Sequence, residues 1–154
     1  MNGRLSQDTE DSTTFVYDLT TGKQTNLFSG ERARLAGISP NGTWLAYSIV
    51  NDTDASRNGL WVIRTDATGN KKLKMYGPVQ WRDDTHLVLV PFEIGASAHS
   101  FFDYNVETDA TLRLTPASQP FKIADGDWAV SPDGNKIVFV NAQDNNLWIW
   151  KFGA

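Results

Sequence analysis

The sequence contains no cysteine. That excludes disulfide frameworks, Cys-ligated zinc, iron–sulfur clusters and thiol nucleophiles. Histidine occurs twice, at His86 and His99, so a multi-histidine metal centre is not expected and imidazole catalysis has two candidates. No apolar run approaches the roughly 18 residues that span a bilayer, and no signal-type apolar stretch stands near Met1, so no membrane association is expected. Basic residues do not dominate: 14 Lys and Arg stand against 18 Asp and Glu, for a formal charge of −4. A nucleic-acid binder would carry a clustered basic face, so nucleic acid is not an expected partner. Also missing is any sustained i, i+3, i+4, i+7 apolar pattern, which argues against amphipathic helices. No motif requires a cofactor.

The 154 residues do contain six Trp, eight Phe and four Tyr beside twelve Gly and six Pro. Aromatic and β-branched residues favour strands, and Gly, Pro, Asn and Asp mark turns. The apolar runs are short, as in Phe15–Tyr17, Trp44–Val50, Leu60–Ile63, Leu87–Phe92, Ile137–Val140 and Leu147–Trp150. Each is bounded by turn residues, so the chain reads as all-β with many short strands.

One segment recurs. Ser39-Pro40-Asn41-Gly42-Thr43-Trp44-Leu45-Ala46-Tyr47 aligns with Ser131-Pro132-Asp133-Gly134-Asn135-Lys136-Ile137-Val138-Phe139, and Trp81-Arg82-Asp83-Asp84-Thr85-His86-Leu87-Val88-Leu89 is a worn copy between them. Gly42, Asp84 and Gly134 hold the equivalent position, 42 and 50 residues apart. That spacing is close to the roughly 40–50 residues of a four-stranded propeller blade. The unit is a tight hairpin: Pro presets φ for the turn and Asx-Gly supplies positive φ. In the middle copy Asp83-Asp84 replaces the Gly, so that turn must differ. A second unit follows each first one: an aromatic strand such as Leu60-Trp61-Val62-Ile63 or Phe101-Phe102-Asp103-Tyr104, a polar turn, then a further strand. Labelling the strands a to d predicts c (14–19) and d (24–28), then a (34–39), b (43–50), c (59–65) and d (71–76). A third unit has a (79–81), b (86–92), c (100–105) and d (111–115), and a fourth has a (127–131), b (136–141) and c (146–152).

The Ser-Pro-Asp-Gly hairpin with its aromatic strand resembles the TolB-type, WD-like β-propeller repeat. Residues 127–139 followed by Leu147-Trp148-Ile149 match best, and the resemblance covers most of 14–152. It implies an all-β partial propeller with about three blades' worth of four-stranded antiparallel sheets in a single segment. On that reading residues 1–28 end one blade, 34–76 and 79–115 are blades, and 127–152 is a blade without its last strand. Residues 2–12 resemble a b–c loop, so the chain is expected to be a fragment of a longer propeller or a protomer that closes a ring with a second copy. Two copies would give a six-bladed ring of two-fold symmetry, although five strands then compete for four places at each junction. The relatives include periplasmic scaffold proteins and the propellers of prolyl-oligopeptidase-type peptidases, so an exported or periplasmic setting is what a TolB-like parent implies. The functional expectation is a non-catalytic module for protein or ligand binding; the alternative is a propeller that gates a serine peptidase domain absent from this chain.

Candidate chemistry is sparse. Asp52-Thr53-Asp54-Ala55-Ser56 has the alternating oxygens of a calcium loop, but Arg57 and Ile63 stand where Gly and an acidic residue belong, so it reads as a solvated loop. Gly95-Ala96-Ser97-Ala98-His99 lacks the second Gly of a nucleophile elbow, and His99 is two residues from Ser97, so it reads as a small-residue loop. His86 beside Asp83 and Asp84 reads as a structural polar contact. Glu93, Asp103, Asp125 and Asp127 show no spacing that pairs two of them as acid and base. Among the tryptophans, Trp148 and Trp150 share one face of their strand. Packing between blades is the first reading for both, and a partner-binding face is the alternative.

Overall fold

The structure is a computed structural model that describes residues 13–29 and 33–152; the comparison of residues 2–12 with a b–c loop lies outside them. Thirteen strands form four antiparallel sheets in chain order. The first sheet pairs β1 (Thr13–Tyr17) with β2 (Gln24–Ser29). The second orders β3 (Ala33–Ile38), β4 (Trp44–Ile49), β5 (Gly59–Arg64) and β6 (Lys71–Lys72). The third orders β7 (Val79–Trp81), β8 (His86–Leu89), β9 (Phe102–Asn105) and β10 (Thr111–Arg113). The fourth holds β11 (Ile123–Val130), β12 (Lys136–Asn141) and β13 (Leu147–Lys151). The all-β partial propeller is thus the observed architecture, with two, four, four and three strands per sheet.

The repeated hairpin has a local cause. The Gly42 N–H donates to Ser39 O at 2.8 Å, and the Gly134 N–H to Ser131 O at 2.8 Å, closing a turn with Pro at its second position. The serine hydroxyl is the hub. Ser39 Oγ accepts the Trp44 N–H at 3.0 Å and donates to Asn41 Oδ1 at 2.8 Å. Ser131 Oγ accepts the Lys136 N–H at 2.9 Å and donates to Asp133 Oδ1 at 2.5 Å. That hydroxyl first, then the Asn135 N–H and Lys136, hold the Asp133 carboxyl down at about 2. In the middle copy Asp83 Oδ1 accepts the N–H groups of Thr85 and His86 instead, and Asp84 keeps an ordinary φ.

Alternation in each second strand sends side chains to both faces, so each inner sheet is covered twice. Trp44, Ala46, Leu60 and Val62 of the second sheet meet Leu87, Leu89 and Tyr104 of the third. Val88, Val90 and Phe101 of the third meet Trp128, Ile137 and Phe139 of the fourth. The other face of the second sheet, with Leu45, Tyr47 and Ile63, receives Leu27 and Phe28; the Phe28 and Tyr47 rings stack at 4.5 Å. Fully burying one such side chain contributes about 1.5–3 kcal/mol, against about 1 for a typical net hydrogen bond, so the seams rather than the ladders hold the sheets to one another. The innermost strands β3, β7 and β11 lie in sequence alongside each other. The Gln80 side chain joins two of them, donating to Trp128 O at 2.8 Å and accepting from the Val130 N–H at 3.0 Å.

Three strand boundaries differ from the sequence expectation. β6 ends at Lys72 rather than 76, although the Leu73 N–H still reaches Leu60 O; Gly77-Pro78 then turns the chain toward β7. β8 ends at Leu89 rather than 92, because Pro91 has no N–H for the ladder. β11 starts at Ile123 rather than 127: Ile123 pairs with Asn141 and Trp128 with Phe139, so residues 124–127 bulge out of the strand.

Gly134 has φ +69°, and a Cβ there would lie 2.5 Å from the Arg82 carbonyl oxygen; Gly42 has φ +74° with open space around it. Gly42→Ala is therefore expected to cost about 1–2 kcal/mol of backbone strain. Gly134→Ala is expected to cost about 2–4 kcal/mol, because overpacking is added. Urea midpoints of the two variants check this; equal losses would show that Arg82 gives way freely.

Candidate functional site

The bulge in β11 opens a pocket where the third and fourth sheets meet. Its volume is about 350 Å³, at the lower end of the range for ligand sites. Pro78, Val90, Pro91, Ile123 and Trp128 form apolar walls, and Phe92, Glu93 and Ile94 lie on the loop that follows β8. Phe92 is 66% exposed and packs only edge-on against Tyr76, while Ile94 is fully exposed.

His99 is the imidazole of this pocket. Its backbone N–H donates to Phe121 O at 2.8 Å, and its Nδ1 accepts the Ile123 N–H at 3.0 Å. An accepting Nδ1 requires the proton on Nε2 in the neutral ring. Burial first, then the positive charge of Lys122, lowers the basicity of His99, and Glu93 partly offsets this. Among the described residues no hydrogen bond joins Ser97 to His99, and Ser97 is exposed.

A second polar centre lies at the opposite end of the same seam. Arg82 donates from Nε to Gly134 O at 2.9 Å, approaches Asp103 at 3.4 Å and lies over the Phe152 ring at 4.6 Å. His86 Nδ1 meets Asp83 at 2.9 Å and its Nε2 meets Asn105 Nδ2 at 3.0 Å. Both nitrogens are therefore occupied by neighbouring turn and strand groups, which is a structural arrangement.

The remaining residues singled out by the sequence are dispersed. Asp54 caps a 3-10 turn at Ala55–Arg57, and Asp52 pairs with Arg57 at 3.6 Å. Asp103 is buried beside Arg82, Glu93 is exposed at the pocket, and Asp127 is exposed on the far face of the fourth sheet. Asp125 lies in the β11 bulge. Trp148 and Trp150 are half-buried against the third–fourth core, near Phe139 and Phe121 respectively. Trp148 Nε1 donates to Asp144 at 3.1 Å. The side of β13 turned to solvent carries Leu147 and Ile149. Sequence reading missed the pocket, and it missed Phe121, a buried ring from a polar loop that stacks on Phe101 at 5.2 Å. The one signal was a lone aromatic after Pro120.

No family model matches the chain, and no curated protein does. Solved structures do. An oligogalacturonate lyase in complex with manganese is 20% identical over 88% of this chain and 38% of its own, with a TM-score of 0.66. The β-propeller domain of the Trilobed protease from Pyrococcus furiosus, described as having an open velcro topology, is 16% identical over 97% of this chain and 50% of that one, with a TM-score of 0.61. TolB from Acinetobacter baumannii is 18% identical over 90% and 34%, with a TM-score of 0.51. The fold is that of a β-propeller of the TolB-like kind. The chain spans about a third to a half of the length of these structures.

The histidine gives a pH dependence with a definite sign. Its folded pKa lies below the ordinary 6.5. Between those values the unfolded chain binds the proton more readily, so this contribution is full above pH 6.5 and is lost as pH falls below it. His99→Gln is expected to flatten the difference in urea midpoint between pH 7.5 and pH 5. An unchanged difference would place the titration elsewhere.

Proposed function

We propose that the chain is a non-catalytic β-propeller module that binds other molecules through the pocket between its third and fourth sheets. The observation that carries this reading is an apolar pocket whose mouth presents Phe92 and Ile94 to solvent. Exposed apolar groups gathered at one concave place mark interaction sites. The commitment of His99 Nδ1 to a backbone N–H supports binding over nucleophilic chemistry. The likeness to a lyase is one of fold, which does not carry activity. Titration of small apolar fragments into isotopically labelled protein is expected to shift the amide signals of Ile94, His99, Ile123 and Gly126. Shifts scattered over the surface would sink the reading.

A second copy of the chain is a further proposed partner. The outward face of the fourth sheet carries Leu147 and Ile149, which continues the alternation that forms the inner seams, and Leu35 and Ile38 stand exposed on β3 at the other end. Light scattering is expected to give the mass of two chains, and Leu147→Glu with Ile149→Glu to halve it. A single-chain mass at micromolar concentration with a folded β spectrum would overturn the pairing. The likeness to the propeller domain of a protease supports a different reading, a propeller that gates a peptidase domain outside this chain; a G-x-S-x-G hydrolase segment in the parent gene would favour it.

A further inference from the structure

The binding reading can be taken one step further, to the chemistry of the ligand, and this step rests on that reading. Three features of the pocket define what fits. Its walls are apolar, from Val90, Ile123, Trp128 and two prolines. Its charges oppose one another: Glu93 lies at the mouth and Lys122 acts on His99 from the other side, so neither sign is selected. Its one fixed donor is the Nε2–H of His99, oriented because Nδ1 and the backbone N–H of the same residue are both engaged with the chain leading into β11. Among the described residues no hydrogen-bond acceptor or ion-pair partner takes that Nε2–H. A neutral imidazole keeps this proton at pH 7, and the lowered basicity of His99 favours that form.

An apolar wall with a single oriented donor selects an apolar group next to a carbonyl oxygen. A free hydrocarbon leaves the donor without a partner, at a cost set by its desolvation. An ammonium group brings a second donor to a donor. We propose that the pocket binds an uncharged apolar residue of a peptide segment from another protein, with the side chain between Val90 and Trp128 and a backbone carbonyl oxygen accepting from His99 Nε2–H. Phe92 and Ile94 flank the segment on either side of Glu93. The volume suits one large side chain, so specificity rests on a single anchor residue.

The probe is N-acetyl-phenylalaninamide, with ethylbenzene and phenethylammonium for comparison, titrated into isotopically labelled full chain. Saturable shifts at Ile94, His99, Ile123 and Gly126 are expected, together with movement of the His99 Nε2–H signal. His99→Phe keeps a ring and removes the donor, and is expected to weaken the amide about tenfold, the equivalent of about 1.4 kcal/mol. His99→Gln can accept from the Ile123 N–H and donate into the pocket, and is expected to restore affinity to within about threefold. Ser97→Ala is expected to leave it unchanged. The amide spectrum of each variant reports whether it has folded, and the Gln variant carries the test if the Phe variant has not. Binding of ethylbenzene or phenethylammonium at the pocket as tight as that of the amide overturns the carbonyl assignment and leaves the binding reading standing. Failure of every probe to shift the pocket signals overturns both.

Discussion

A β-sheet that is apolar on both faces must be covered on both faces, and the rest of this structure depends on that requirement. Leu87 and Leu89 on one side of β8, and Val88 and Val90 on the other, cannot both be buried by a single neighbour. The third sheet is therefore clamped between the second and the fourth, and the sheets stack face to face in chain order. The hairpins, the short outer strands and the bulge in β11 are adjustments that let the chain run from one sheet to the next while the seams stay filled. Close filling has a polar cost at three places: the indole N–H groups of Trp44, Trp81 and Trp150 are buried without a partner. A buried donor without an acceptor costs about 1–3 kcal/mol, less than the packing of a large ring contributes at such a seam.

Most of this was legible in the sequence because the signals are local. Ser131 Oγ, Asp133 and Gly134 satisfy one another within four residues, so the hairpin is written where it forms. The strand partners follow from the short turns, and the division into two, four, four and three strands follows from the spacing. What escaped was non-local. Phe121 sits in a loop with no periodicity, and only the bridge to His99 and the rings of Phe101 and Phe139 make it a core residue. The start of β11 at Ile123 escaped because Asp-Gly-Asp reads as a turn, and here the bulge absorbs it without ending the strand.

The pocket was illegible for a related reason. Its residues come from the connection before β7, the loop after β8 and the first half of β11, segments more than thirty positions apart in part. Sequence reading had noticed Glu93, His99 and the 125–127 segment separately, each as a candidate for a different chemistry. Their meeting at one place depends on the seam between two sheets, which no single segment encodes. Trp148 and Trp150 show the converse: their shared face was readable, but which face the next sheet would cover was settled by the partner strand β12, whose Ile137 and Phe139 point the same way.

Outside the apolar seams, adjacent sheets are tied at their hairpins. The Asn41 N–H donates to Asp84 at 2.9 Å between the second sheet and the third, and Arg82 reaches Gly134 O between the third and the fourth. Both ties run between neighbours in the chain order. In thermodynamic terms the molecule is a short one-dimensional array, where each unit is stabilised by the units beside it and coupling fades with each boundary crossed. A ligand held at the last boundary would then restrain the fourth sheet against opening, while the two-stranded first sheet continues to open and close by its own equilibrium.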